Sequence, residues 1–170
     1  MKHRKRRHPL SRLRSALDTS WAGGGELLFA APDANEAFAG TIDANGMLLL
    51  TGATGLISDL FVKRYDPVAE TNDPGFNGGG DLVPPKIYGA TTYQRGEEIV
   101  VEGSGDIIVA GGVDDATPAE LAAWRITSGG AGGFNTDEGR RVLIQSDDKI
   151  VVVGAAKSGN PRDMVILRLM

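Results

Sequence analysis

The sequence predicts an all-β chain built from three copies of one antiparallel repeat. Three short blocks of residues recur in the same order three times, which chance does not readily produce. Glycine is abundant as well, with 24 in 170 residues. Glycines spread between short apolar runs mean many turns, and many turns mean short strands. A chain of this length buries one sizeable core.

The first block reads IDANGMLLLTG (42–52), VEGSGDIIVAG (101–111) and IQSDDKIVVVG (144–154). Each copy is an apolar strand end, a polar turn and an apolar core that closes on a glycine, namely Gly52, Gly111 and Gly154. Pairs such as Asn45-Gly46 and Ser104-Gly105 suit two-residue hairpins, since those residues tolerate positive φ. The second block reads LFVKRY (60–65), LAAWRI (121–126) and MVILRL (164–169), with Arg64, Arg125 and Arg168 in register 12, 14 and 14 residues after their glycines. Upstream strands match too, as AGTI (39–42), IVV (99–101) and VLI (142–144). The third block is DTSWAGGG (18–25), DPGFNGGG (73–80) and a worn AGGFNTDEG (131–139), where Trp21, Phe76 and Phe134 hold one place.

Each copy therefore reads as four strands: A before the turn, B ending on glycine, C carrying the arginine and D carrying the aromatic. Four such antiparallel strands make a propeller-type blade. The blades span about 26–80, 81–139 and 140–170, the last completed by 12–25 with Leu17–Trp21 as its strand D. Residues 1–11 form a basic tail expected to be disordered.

The blocks DDKIVVVG (147–154), FVKRYDP (61–67) and LDTSWAGGG (17–25) resemble those of the delta-60 repeat family of bacterial β-propeller-like proteins. The resemblance runs from about Arg12 to Met170. It implies propeller blades with no catalytic residues and a family often secreted or surface-exposed, and the chain is expected to serve as a non-enzymatic scaffold or binding module for protein or glycan partners. The sequence departs from the family pattern at Ala131, where aspartate is expected, and shows no signal peptide. Rings hold about four to eight blades. Three copies thus fit a piece of a longer array, an open stack, or half of a head-to-tail ring in which Leu17–Trp21 of one chain completes the last sheet of another.

Composition removes several chemistries. There is no cysteine, which excludes disulfides, thiolate metal sites and cysteine nucleophiles. Histidine occurs only at His3 and His8, so the body has no imidazole base or ligand. Seven of the 18 basic residues lie in the first fourteen positions, leaving 11 basic against 22 acidic residues beyond them. That acidic body disfavours nucleic acid and anionic membranes as partners, and only the tail would attract them. No apolar run reaches the length of a membrane span.

The sharpest rival is MLLLTGATGLISDLFVKRY (47–65). Its TGATGLIS turn at 51–58 is similar to the nucleotide-binding turn of dehydrogenases, which needs a helix from about residue 56. The same segment aligns with 106–126 and 149–169, where no such motif stands. The pairs Asp114-Asp115, Asp147-Asp148 and Asp137-Glu138 read as turn acids bonded to local N–H groups. Arg64, Arg125 and Arg168, being repeated, read as scaffold in which each pairs with an acid of a neighbouring strand or lies over the aromatic of strand D. Ligand-facing positions are expected on loops 81–96 and 112–119, at Tyr88, Tyr93, Asp114 and Asp115. No residue is assigned a catalytic, cofactor or metal role, and the compartment is left open.

Overall fold

A computed structural model describes residues 18–27, 29, 35–55, 59–86, 93–114, 120–127, 130–135, 138–156 and 163–169. The chain divides into two units, 1–32 and 33–170. The tail at 1–11 and Leu17 lie outside the described residues.

In the first unit, Asp18 to Gly25 is a run of turns. Asp18 caps it by accepting from the Ser20 N–H at 3.0 Å, and the carbonyl of Trp21 accepts from Gly24 at 3.0 Å.

The second unit is all-β, with three small antiparallel sheets that follow one another along the chain. The first holds β1 (Asn35–Ile42), β2 (Leu48–Thr54), β3 (Asp59–Asp66) and the two-residue β4 (Thr71–Asn72). The second holds β5 (Tyr93–Val101), β6 (Ile107–Asp114), β7 (Glu120–Thr127) and β8 (Gly130–Asn135). The third holds β9 (Glu138–Ile144), β10 (Ile150–Ala156) and β11 (Asp163–Leu169). Within each sheet the strands pair in chain order, and among the described residues no sheet closes on itself.

Register makes the three sheets equivalent. Gly52 pairs with Phe61, Gly111 with Ala122 and Gly154 with Val165. The arginines likewise face Leu49, Ile108 and Val151, three positions before each glycine. Because side chains alternate across a strand, equal register gives every sheet the same two faces. Leu49, Leu60 and Val62 of the first sheet meet Ile99, Ile107, Val109, Val113, Trp124 and Ile126 of the second. The opposite face of the second sheet, with Ile108, Ala110 and Ala123, meets Val142, Ile150 and Val152 of the third. The second sheet is thus buried on both faces, which explains why VEGSGDIIVAG is apolar at consecutive positions. Each fully buried Leu, Ile or Val in these layers contributes about 1.5–3 kcal/mol.

The repeated glycine has a steric cause. A β-bulge interrupts each A–B hairpin, between Ala37 and Ala39, between Gly96 and Glu98, and beside Val153 and Gly154. The bulge swings a carbonyl of strand A against strand B. A Cβ on Gly52 would lie 1.8 Å from the Glu36 carbonyl oxygen, and one on Gly111 1.9 Å from that of Arg95. Only glycine fits.

Four expectations need correction. The hairpin turns are not two-residue. In all three copies the first turn residue donates to the fifth, Asp43 to Met47 at 3.0 Å, Glu102 to Asp106 at 2.9 Å and Gln145 to Lys149 at 2.8 Å. The three residues enclosed carry one left-handed position, at Gly46, Gly105 and Asp148, the geometry of a three-residue hairpin loop.

Among the described residues strand D carries its aromatic only in the second copy, where Phe134 lies in β8. In the first, Phe76 follows β4 within a turn that leads into a 3₁₀ turn at Asn77–Gly79. Pro74 lacks an N–H for a ladder, and Asn77, Gly78 and Gly79 all have positive φ. The third block at 18–25 is likewise a turn and not strand D, with Ala22, Gly23 and Gly25 at positive φ. Ala131 removes the aspartate that anchors this turn, and the second copy runs straight instead.

The third sheet has three strands, not four, among the described residues. Finally, residues 59–66 form strand β3 antiparallel to β2. The dinucleotide reading requires a helix there, so its strand–turn–helix context is absent, although residues 56–58 themselves lie outside the described set.

Candidate functional site

The arginines of strand C are clamps on the hairpin turns. Arg64 reaches across β2 and donates from Nη2 to the Asp43 carboxylate at 2.5 Å and from Nε at 3.1 Å. Its Nη1 holds Asp73 at 2.6 Å. Arg125 holds Glu102 at 2.5 Å and Asp106 at 3.1 Å. Arg168 donates to the Gln145 side chain at 2.7 Å and to Asp147 at 2.9 Å. In every sheet the arginine grips the first residue of the turn, and its second partner differs from copy to copy.

Burial grades the clamps. The Asp43 side chain is 8% exposed and that of Asp147 44%. Burial opposes the charge on Asp43. Hydrogen bonds from Arg64 and from the backbone N–H groups of Met47 and Asn45 outweigh it, and its carboxyl is held below the usual range. Asp147 is also lowered, first by the hydrogen bond from Lys149. The bond to Glu102 raises the Arg125 guanidinium further above its ordinary value.

Between the turn ends of the first two sheets lies an open cleft of about 490 Å³. Leu49, Phe76, Ile107 and Ile126 give it an apolar floor, while Asp43, Arg64 and Glu102 stand at its polar side. The turns 43–47 and 102–106 form its lips. A volume of this order with a few convergent polar groups is what small ligands or single side chains of a partner occupy. The sequence does carry a signal for this cleft, the acids at Asp43 and Glu102 that open equivalent turns. Reading them required knowing that adjacent sheets stack with their turns side by side.

The loops expected to face a ligand are only partly loops. Leu82 forms a β-bridge with Val62, Asp81 pairs with Lys63, and Lys86 meets Asp59 at 2.7 Å. The start of 81–96 is thus fastened along the edge of β3, and its end is already β5. Residues 112–114 belong to β6. Tyr93 and Asp114 are cross-strand partners, and Tyr93 is exposed, so the structure brings these two positions together. Tyr88 and Asp115 lie outside the described residues, as does the side chain of Phe134. Trp124 and Arg125 point to opposite faces, with Trp124 buried between the sheets.

Among the described residues no group of three or more His, Cys, Asp or Glu side chains could hold a metal ion. No helix among them is long and apolar enough to cross a membrane. Comparison with known proteins finds no family model that matches the chain and no curated protein that matches it.

Proposed function

We propose that this chain is a non-enzymatic scaffold of propeller-type repeats that presents its inter-sheet cleft to a protein or glycan partner. One observation supports this above the others: three sheets share one register and one arginine clamp. The clamp acids that would be candidates for chemistry are already engaged by the frame itself. Repetition of a polar constellation in every copy fits a structural role. The cleft, with an apolar floor and a charged lip, is the feature that differs from a mere repeat of the frame. The resemblance to the delta-60 repeat family agrees with this reading, and a propeller-type array is the architecture it implies.

The test is direct. Ala44 is exposed, and a side chain at Gly103 would meet nothing within 4 Å, so Ala44→Arg with Gly103→Arg fills the lips without touching the core. Printed arrays of oligosaccharides and of peptides are probed with the wild-type chain and with this variant. Binders captured by the wild type and lost by the variant support the reading. An array on which both proteins give the same signals, or none, overturns it.

A further inference from the structure

The turn at 18–25 repeats the turn at 73–80 in two backbone bonds and in its cap, and differs at its last glycine, where Gly25 donates to Trp21 but Gly80 to Asn77. Trp21 donates to Asp18 at 3.1 Å as Phe76 does to Asp73 at 3.1 Å, and Gly24 donates to Trp21 at 3.0 Å as Gly79 does to Phe76 at 2.9 Å. Both aspartates cap their own turn through Oδ1, Asp18 from Ser20 at 3.0 Å and Asp73 from Gly75 at 2.8 Å. Two positions of positive φ also coincide, Ala22 with Asn77 and Gly23 with Gly78, while the third falls at Gly25 in one turn and at Gly79 in the other.

Where it is docked, this turn has a fixed seat. Asp73 donates its N–H to the Arg64 carbonyl at 3.0 Å, and its Oδ2 accepts from Arg64 Nη1 at 2.6 Å. It therefore lies against the outer edge of strand C, continuing from β4. Among the described residues the third sheet has the strand but not the cover. Among the described residues no strand pairs with the outer edge of β11. Arg168, the equivalent of Arg64, has one carboxylate partner among them where Arg64 has two, and its side chain is 54% exposed against 22%. The neighbouring apolar side chains Met164 and Ile166 of β11 are exposed as well.

We propose that the Asp18–Gly25 turn of one copy seats on the open edge of β11 in a second copy, with Asp18 Oδ2 accepting from Arg168. Exchange of the turn in both directions makes a closed two-fold pair. It covers an edge that otherwise invites uncontrolled strand pairing. The proposal stands whether or not the cleft takes a ligand.

Light scattering coupled to gel filtration over a concentration series of the full chain tests it. The wild type is expected as a dimer that dissociates on dilution. Asp18→Arg and Arg168→Asp each place like charges in both seats, and each is expected to weaken the dimer by about tenfold or more. An equimolar mixture of the two restores it, since one seat then holds the reversed pair and the other the original. Asp18→Asn, which keeps the turn cap and removes the charge, gives an intermediate weakening and guards against misfolding of the reversed variant. A wild type that is monomeric throughout, single variants that dimerise as well as wild type, or a mixture that stays monomeric would each overturn the proposal.

Discussion

Replacing Gly111 by alanine is the sharpest perturbation of the frame. The added methyl would sit 1.9 Å from the Arg95 carbonyl oxygen, 3.0 Å from its carbon and 3.1 Å from the Gly96 Cα. All three are main-chain atoms, so no side chain can rotate away, and the strands must part by more than about 1 Å. Forcing extra carbon into a packed interior costs about 1–3 kcal/mol. Opening the bulge adds about 1 kcal/mol for a ladder hydrogen bond, for a total near 3 kcal/mol. Against a typical stability of about 5–15 kcal/mol that is a large fraction, and it corresponds to about 6–12 °C in Tm for a chain of this size. Denaturant unfolding followed by far-ultraviolet circular dichroism measures it. Gly103→Ala, where the methyl meets nothing within 4 Å, is the matched control and is expected to change stability by under about 1 kcal/mol. A Gly111→Ala protein as stable as that control would refute the bulge as the reason for the repeated glycine.

Three further outcomes follow from the clamps and the core. Arg64→Ala strands Asp43 and Asp73, both mostly buried, and is expected to cost about 2–3 kcal/mol, less than the 3–5 of a fully buried pair. Arg168→Ala, at an exposed clamp, leaves the denaturation midpoint where it was at dilutions where the chain is monomeric, and equal losses at the two sites would contradict the grading. The depressed carboxyl of Asp43 stabilises the fold above the unfolded-state pKa near 4, and that contribution fades as pH falls through the lower folded value. Asp43→Asn should therefore be less stable at neutral pH and show a shallower acid loss below about pH 4 in denaturant midpoints measured against pH. The Trp124 indole N–H is buried without a hydrogen-bond partner among the described residues, so Trp124→Phe removes a desolvated donor along with some packing. Its cost should stay under about 1.5 kcal/mol, against about 3–5 for Trp124→Ala, and near-equal losses would remove the argument.

Much of this frame is legible in the residues alone. Strands A, B and C stand where the repeated blocks put them, because LLLTG, IIVAG and VVVG impose one register once their glycines are aligned. The pairing of Arg64, Arg125 and Arg168 with acids follows from their repetition on strands beside acidic turns. What the blocks conceal is geometry that one residue type serves in several ways. Asp73-Pro74-Gly75 and Asp18 anchor turns by side-chain caps, yet their aromatics look like strand residues by analogy with Phe134. Asn45-Gly46 suggests a tight hairpin, whereas the left-handed residue at Gly46 closes a three-residue loop, and Asp148 fills the same position without being glycine. The cleft is hidden for another reason, since it forms only where two sheets bring Asp43 and Glu102 to one side.

Cross-strand Hα and amide contacts by nuclear magnetic resonance test the central claim most directly. Sister sheets require proximities for Gly52 with Phe61, Gly111 with Ala122 and Gly154 with Val165, in one antiparallel pattern. Helical contacts across 59–66, or a register in any sheet that differs from the other two, would contradict it.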